Sequence, residues 1–442
     1  MINIQPAAKA ALRALNDNGF EAYLVGGCVR DVLMGGVSHD IDITTNALPD
    51  QIMGVFSAFR TIPTGLKHGT VTVIIDSEPV EITTYRSESG YSDGRHPDSV
   101  KFEASLEKDL SRRDFTVNAL CCDIDGEIFD LFGGREDLRL KTIRAIGNPY
   151  DRFSEDSLRI LRALRFSSVF GFEIEKNTSK AVFDLKELIK RVSAERIYSE
   201  LKRLLCGKNV ESVLTDYFEV FETIIPELSR MKGFEQKNPH HCFDVWRHTA
   251  KVVASVEPVA ELRLAALFHD CGKPDSFSID QNGIGHFYGH SEISAEKAKT
   301  ALDRLKADNE TKKTVVELVR IHDTPVDETK KAARRRLNRY GEDLYRKLIR
   351  LQRADTLGLA EKFHTRLPHF ERLEELLDEV LAEGECFSLK DLAVNGSDLQ
   401  KLGLKGKQIG VCLNMLLEAV MNNEVNNNKN ELIEYLEKHE KN

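Results

Sequence analysis

The chain has 442 residues, 41% of them hydrophobic and 30% charged, enough apolar content for about two to four domains with their own cores. A formal net charge of −9 excludes a molecule that attracts phosphate over its whole surface, so any nucleic-acid contact must rest on local basic patches. No apolar run approaches the roughly 20 residues that span a bilayer, and residues 1–5 lack the basic flank and apolar stretch of a secretory signal, so a cytoplasmic protein without a membrane partner is expected.

Up to about residue 140, β-branched runs alternate with glycine turns, and strands are expected at 23–25, 40–44, 70–75, 80–85 and 116–124. The first strand runs into Gly26-Gly27, where the missing Cβ atoms permit a sharp turn and a close backbone approach to a ligand. The helix that follows carries Arg30 on its expected first turn and aims free N–H groups forward, a setting suited to phosphate. In "HDIDITT" the strand period of two places Asp40 and Asp42 on one face and Ile41 in the core. Paired carboxylates repel unless cations sit between them, and Mg²⁺ is the cation that also bridges phosphate oxygens. A glycine turn or an Asp-x-Asp is commonplace alone. Together they point to a nucleoside triphosphate with metal.

From Arg152 onward the pattern turns helical, in stretches such as "EDSLRILRALRFSSVF", "ERIYSELKRLL", "RLAALFHDCG" and "HFERLEELLDEVLAEG", and "NNNKN" at 426–430 reads as a loop before a last helix. Eight cysteines, none in a C-x-x-C pair, fit reduced and mostly buried thiols.

"LVGGCVRDVLMGGVSHDIDITT" resembles the first signature of the class II tRNA nucleotidyltransferase and bacterial poly(A) polymerase superfamily, and "RRDFTVNAL", "DLFGGREDLRLKTIRAIGNPYDRF" and "EDSLRILRALRF" resemble its later signatures in the same order. The likeness continues through "SAERIYSELKRLL" to "LKDLAVNGSDLQKLGLKGKQIG", nearly the whole chain. It implies an α+β, polymerase β-like nucleotidyltransferase head at 1–145, followed by an all-α neck at 146–230, an HD domain at 231–360 and a helical tail at 361–442. It also implies that Asp40 and Asp42 hold Mg²⁺ and that the RNA 3′-hydroxyl attacks the α-phosphate of an incoming nucleotide. Glu81 is the candidate third acid, on a neighbouring strand. By the same resemblance Arg113 contacts the triphosphate, with Arg112 as the alternative. Asp114 contacts the ribose, where a carboxylate accepting from the 2′-hydroxyl prefers ribonucleotides, and Arg162 joins the nucleotide-binding set.

Asp156 and Arg159, three apart on an expected helix, can address one planar partner together. Cytosine and adenine each present an amine donor beside a ring-nitrogen acceptor, whereas uracil and guanine reverse that order, so an Asp beside an Arg suits C and A. A plain helix salt bridge between the two is the alternative. Residues 84–102, polar and turn-rich, resemble the flexible loop with which full CCA-adding enzymes switch from C to A.

A second constellation, His248, His269-Asp270 and Asp355, each on an expected helix, resembles the HD phosphohydrolase domain; His290 and His322 resemble the extra ligands of its two-metal versions. The metal implied there is a divalent transition ion such as Mn²⁺, Ni²⁺ or Fe²⁺, and the substrates 2′,3′-cyclic phosphate or phosphomonoester ends. Basic runs at 330–350 and 191–205 are solvated helix faces or contacts to an RNA backbone. The function implied is addition of CCA to tRNA from CTP and ATP. A poly(A) polymerase, a partial CC- or A-adding enzyme, an HD hydrolase with an RNA-docking head and a non-catalytic RNA clamp are the alternatives.

Overall fold

A computed structural model describes residues 2–38, 40–66, 69–89, 99–102, 105–239, 242–383 and 388–439. The chain divides into two compact units, Met1–Pro226 and Glu227–Asn442.

In the first unit, α1 (Pro6–Asp17) and β1 (Ala22–Val25) lead into α2 (Gly27–Leu33), β2 (Ile41–Thr45), α3 (Pro49–Val55), β3 (Arg60–Gly65), β4 (Thr70–Ile75) and β5 (Glu78–Thr84). A hairpin of β6 (Arg86–Ser89) and β7 (Ser99–Phe102) precedes α4 (Leu106–Ser111). Two short strands, β8 (Cys121–Cys122) and β9 (Ile128–Phe129), complete a seven-stranded sheet of order β3-β4-β5-β2-β1-β8-β9. β2 and β5 run parallel, and the other neighbours are antiparallel. Ala7, Ala8, Ala11, Leu12 and Leu15 recur at helical spacing on α1 and share a core with Ile41, Ile43, Val71, Val73 and Ile82 of the sheet. The alternation that buries Ile41 and Ile43 leaves Asp42 half-buried on the opposite face.

After α5 (Gly134–Arg139), the short β10 (Thr142–Ile143) pairs in parallel with β11 (Glu173–Ile174). Between them lie α6 (Pro149–Glu155) and α7 (Leu158–Phe170); α8 (Lys176–Leu185), α9 (Ala194–Leu205), α10 (Val210–Asp216) and α11 (Phe218–Ile224) follow.

Two expectations need correction here. Residues 116–124 are not one strand: Thr116–Asn118 is a 3-10 turn and only Cys121–Cys122 pairs. The cause is Asp114, whose carboxylate accepts from Phe115 N and Asn118 Nδ2 and curls the segment. The edge strand β3 has no counterpart among the expected strands. Its Pro63 argues against a strand except at an edge, where the missing N–H breaks no ladder.

The second unit is helical: α12 (Val245–Ser255), α13 (Ala260–Phe268), α14 (Lys273–Ser276), α15 (His290–Arg304), α16 (Asn309–Ile321), α17 (Lys330–Gly358), α18 (Leu367–Ala382), α19 (Gly396–Lys401), α20 (Lys407–Met421) and α21 (Lys429–His439). Among the described residues no helix is long and apolar enough to cross a membrane. The architecture is α+β, with its large sheet confined to the first unit. Seven cysteines are free, and Cys28, Cys121, Cys122, Cys271 and Cys412 are buried; Cys386 lies outside the described residues.

Candidate active sites

A cleft of about 500 Å³ in the first unit gathers Gly26, Asp40, Asp42, Arg113, Asp156 and Arg159 on its walls. Gly26 caps α2 at φ 82° and ψ −133°, and a Cβ there would stand 3.0 Å from the Arg113 guanidinium. Both the backbone angle and the close approach therefore require glycine. Asp40 lies just before β2, not within it, and is exposed; Asp42 is the second residue of the strand. Parallel pairing sets Glu81 of β5 directly opposite Asp42. Burial, together with the like charges of Glu81 and Asp40, pushes the Asp42 carboxyl up to about 6 against the pull of Arg113. Three carboxylates crowded this way are short of positive charge, and all their donors are oxygen, the chemistry that suits Mg²⁺.

The arginines of "RRDFT" are held from behind by Asp109, a fully buried residue that the sequence reading passed over. Its carboxylate takes hydrogen bonds from Thr44 Oγ1 (3.0 Å), Arg112 Nε and NH2 (3.0 and 2.8 Å), Arg86 N and Arg113 NH2 (both 3.4 Å). Burial opposes its charge, but Arg112 and Arg113 keep its carboxyl below the usual range. Asp109 thus joins the strand of Asp42 to the two arginines and to the start of the β6–β7 hairpin. An acid three and four residues before two arginines is the one part of this arrangement that the sequence carries; its burial and its bonds to Thr44 and Arg86 arise only on folding. Residues 90–98, the middle of the loop expected at 84–102, lie outside the described residues.

Arg30 departs from its expected place. It falls in the last turn of the seven-residue α2, 8% exposed, bonded to Asp31 and Asn118 and stacked 4.6 Å from the Phe170 ring centroid. The guanidinium and Gly27 still line the cleft. Asp114 accepts from Arg162 Nε at 2.7 Å; burial opposes its charge, but Arg162 holds it well below the ordinary carboxyl range.

Asp156 and Arg159 do not share a helix. Asp156 follows the end of α6, and its Oδ1 accepts from Leu158 N at the start of α7. The second oxygen accepts from Arg196 of α9 at 2.8 Å. Arg159 donates to Glu155 Oε2 and the carbonyls of Arg152 and Arg112 at 2.8 to 3.1 Å. The two are therefore not a salt bridge with each other. Both line the cleft, with lone pairs and N–H groups to spare.

In the second unit, His248 on α12, His269 and Asp270 just past α13, His290 opening α15, His322 just past α16 and Asp355 on α17 converge. Each Nδ1 meets a backbone carbonyl: His248 that of Gly358 (3.2 Å), His269 Ala266 (2.7 Å), His290 Phe287 (2.9 Å) and His322 Val319 (2.7 Å). Carbonyls only accept, so Nδ1 carries the proton and each Nε2 keeps a lone pair for a cation.

These lone pairs face one another. His248 Nε2 lies 3.4 Å from His269 Nε2, and His290 Nε2 lies 3.2 Å from His322 Nε2. Asp270 reaches both pairs, with Oδ2 3.2 Å from His269 and Oδ1 3.4 Å from His290. Asp355 Oδ1 is 2.9 Å from His248. Ligand atoms sharing one ion at about 2.0 to 2.2 Å stand roughly 3 to 3.5 Å apart, so the residues fit two triads, His248–His269–Asp270 and Asp270–His290–His322, joined by Asp270. Lys273 Nζ pairs with the buried Asp270 Oδ2 at 2.7 Å. Burial disfavours charge on His269, but Asp270 and Asp355 raise it to about 10, while burial and the His269 charge push His322 down to about 3. Gly358 fits its place because a Cβ would meet the His248 ring at 2.8 Å.

Family models match three stretches: "Poly A polymerase head domain" at 22–144, "Probable RNA and SrmB- binding site of polymerase A" at 171–232 and "tRNA nucleotidyltransferase domain 2 putative" at 280–436. These stretches are similar to domains of poly(A) polymerases and tRNA nucleotidyltransferases. It is 48% identical over 212 residues to the CCA-adding enzyme of Enterococcus faecalis and 45% over 233 residues to that of Lactobacillus helveticus. These matches cover 48% and 52% of this chain, and 52% and 58% of the relatives, so the chain spans about half the length of the curated relatives it matches. The crystal structure of the Bacillus stearothermophilus CCA-adding enzyme in complex with CTP superposes with a TM-score of 0.75 at 29% identity, over 99% of this chain and 98% of that one.

Several cations of the basic run at 330–350 are occupied internally. Lys330 pairs with Glu383, Arg346 with Glu342 and Asp378, Lys347 with Asp343, and Arg334 bonds Asn423.

Proposed function

We propose that the chain adds CCA to the 3′ end of tRNA from CTP and ATP with Mg²⁺. The observation that carries this reading is the single cleft holding carboxylates on one wall and Arg113, Asp156 and Arg159 on another. Mg²⁺ held by Asp40, Asp42 and Glu81 would lower the charge on the reacting oxygens and phosphates. The 3′-oxygen of RNA bonds to the α-phosphorus, the bond to the β-phosphate oxygen breaks, pyrophosphate leaves, and the hydroxyl proton passes to solvent. Arg113, anchored by Asp109, neutralises the triphosphate. Asp114 accepts from the ribose 2′-hydroxyl, and Asp156 with Arg159 read the base edge of C or A. The relatives named as CCA-adding enzymes and the bound CTP of the Bacillus stearothermophilus one support the substrates. The test is tRNA ending at its discriminator base, incubated with CTP alone, ATP alone or both. Two, zero and three added residues are expected; a long tail from ATP alone would make the chain a poly(A) polymerase, and growth that stops short of three residues with both would make it a partial enzyme.

The histidine cluster favours a second reading, that the second unit hydrolyses phosphoesters with a divalent transition metal held by His248, His269, Asp270, His290, His322 and Asp355. Such ions supply a polarised phosphate and a more acidic water. The water oxygen bonds to phosphorus, the bond from phosphorus to a ribose oxygen breaks, and that oxygen leaves with the proton lost by water. Asp355, whose side chain is 35% exposed, faces solvent and is placed to take that proton in passing.

A further inference from the structure

Beside the cluster opens a second cleft, of about 440 Å³, that includes His322 and Asp355 of the ligand set in its lining. Its volume falls within the range of small-ligand pockets. Pro325, Val326 and Phe370 give it apolar surface, and Arg366 and His369 stand on its wall. His369 is already taken, with Nδ1 2.6 Å from Glu328. Arg366 is exposed, and among the described residues no carboxylate or carbonyl occupies its guanidinium. Gln352 ties the lining together by donating to the carbonyls of His322 and Thr324 at 2.8 and 2.9 Å, which fixes the wall that carries a cluster ligand.

A cleft that begins at cation-binding residues and contains one further unpaired cation has places for two anionic groups. We propose that it binds a nucleotide by two phosphates at once, the scissile 2′,3′-cyclic phosphate at the cluster and a 5′-phosphate at Arg366. This rests on the hydrolase reading of the cluster and narrows its substrate class. A ribose bears its 5′ and 3′ oxygens at opposite ends, so a 5′-phosphate projects away from the group being cleaved, toward the far wall. Arg366 is suited to it because a guanidinium binds phosphate through paired N–H donors. The preferred substrate is therefore the terminal nucleotide of an RNA strand, which always carries a 5′-phosphate linkage, over a free nucleoside cyclic phosphate. Pro325, Val326 and Phe370, which share the cleft lining, offer apolar surface to ribose and base. At the cluster end, ions held by the ligand set would offset the carboxylates of the cleft.

The experiment compares 2′,3′-cyclic AMP with the same compound carrying a 5′-phosphate, using the full chain loaded with Mn²⁺ or Ni²⁺. Wild type should show kcat/KM about tenfold or more in favour of the 5′-phosphorylated compound, as one charge-assisted phosphate contact gives. That ratio should collapse toward one in Arg366→Ala and be partly kept in Arg366→Lys. Arg366 is exposed, so thermal melting of both variants should match wild type. If wild type cleaves both compounds equally, or Arg366→Ala keeps the preference, the 5′-phosphate site is wrong and the hydrolase reading stands. If wild type cleaves neither, the hydrolase reading fails and takes this inference with it.

Discussion

The cleft of the first unit offers a cation only carboxylate oxygens, set along the mouth of a sheet, whereas the cluster of the second offers four imidazole nitrogens and two carboxylates, with Asp355 alone well exposed. Oxygen donors on an open wall suit Mg²⁺, which keeps much of its water and shares its coordination with phosphates. Imidazoles in a dry pocket suit transition ions, which give up water for nitrogen. The two regions also spend backbone differently: neighbouring parallel strands bring Asp42 and Glu81 together through one register, while the cluster needs residues from five helices or their ends. On the proposed readings the two donor sets would select different ions and so would not compete for them.

The largest expected effects test that independence. Asp42→Ala should reduce nucleotide addition by about a thousandfold or more, since it removes charge stabilisation needed only in the transition state, while tRNA affinity changes by a few fold at most. Its hydrolysis of 2′,3′-cyclic nucleotides should match wild type. The reciprocal double variant, His269→Ala with Asp270→Ala, should lose that hydrolysis and the bound Mn²⁺ or Ni²⁺, measured by elemental analysis, and keep CCA addition within about threefold. Circular dichroism and melting must show it folded, because a metal that binds only the native state also stabilises it. Loss of CCA addition in a folded double variant would mean that the two sites are coupled.

Arg159→Ala sharpens the comparison within the first cleft. It should cost about 10- to 100-fold in rate and lower discrimination against UTP and GTP, read as kcat/KM for each nucleotide. Because Arg159 also bonds Glu155 and the Arg112 carbonyl, a general loss of rate is expected from displacement alone. Only the change in nucleotide ratio tests base reading, and an unchanged ratio would return the residue to a structural part.

The smallest effect concerns Asp42 and pH. Its carboxyl binds a proton more tightly in the folded protein, at about 6, than at the ordinary 3.8. Stability without metal therefore falls as pH rises from about 4 to about 6 and is level above that. At pH 7.5 Asp42→Asn should melt a few degrees higher than wild type in EDTA, on the order of 1 to 2 kcal/mol. Mg²⁺ should raise the wild-type melting temperature and leave the variant's nearly unchanged. A variant that melts lower than wild type in EDTA would show that the three carboxylates are not in conflict.

How far each region could be read from the sequence follows the same division. Asp42 and Glu81 are legible because a strand's alternation and one neighbouring strand decide their placement, whereas Asp40 falls just before β2, where the strand period does not reach. The six cluster residues are legible through their order along the chain, although His269 and His322 sit just past helix ends, which periodicity cannot resolve. Asp109 escapes because its partners come from β2, β6 and α4 and meet only in the folded chain. "EDSLR" reads as continuous helix, yet α6 ends at Glu155 and the Asp156 carboxylate accepts from Leu158 N where α7 begins.

Gly358 touches neither nucleotide nor RNA, yet it shapes what this chain can become by mutation. A glycine in the last turn of the helix that follows the break at Gly341 gives up as much as about 1 kcal/mol relative to alanine, so random substitution there should be favoured on local grounds. Every such substitution instead drives a carbon into the His248 ring and pushes its Nε2 off the lone-pair partners it faces. In a complete map of tolerated substitutions, scored on hydrolysis, position 358 should therefore be as barren as the ligands themselves, and scored on CCA addition it should be ordinary.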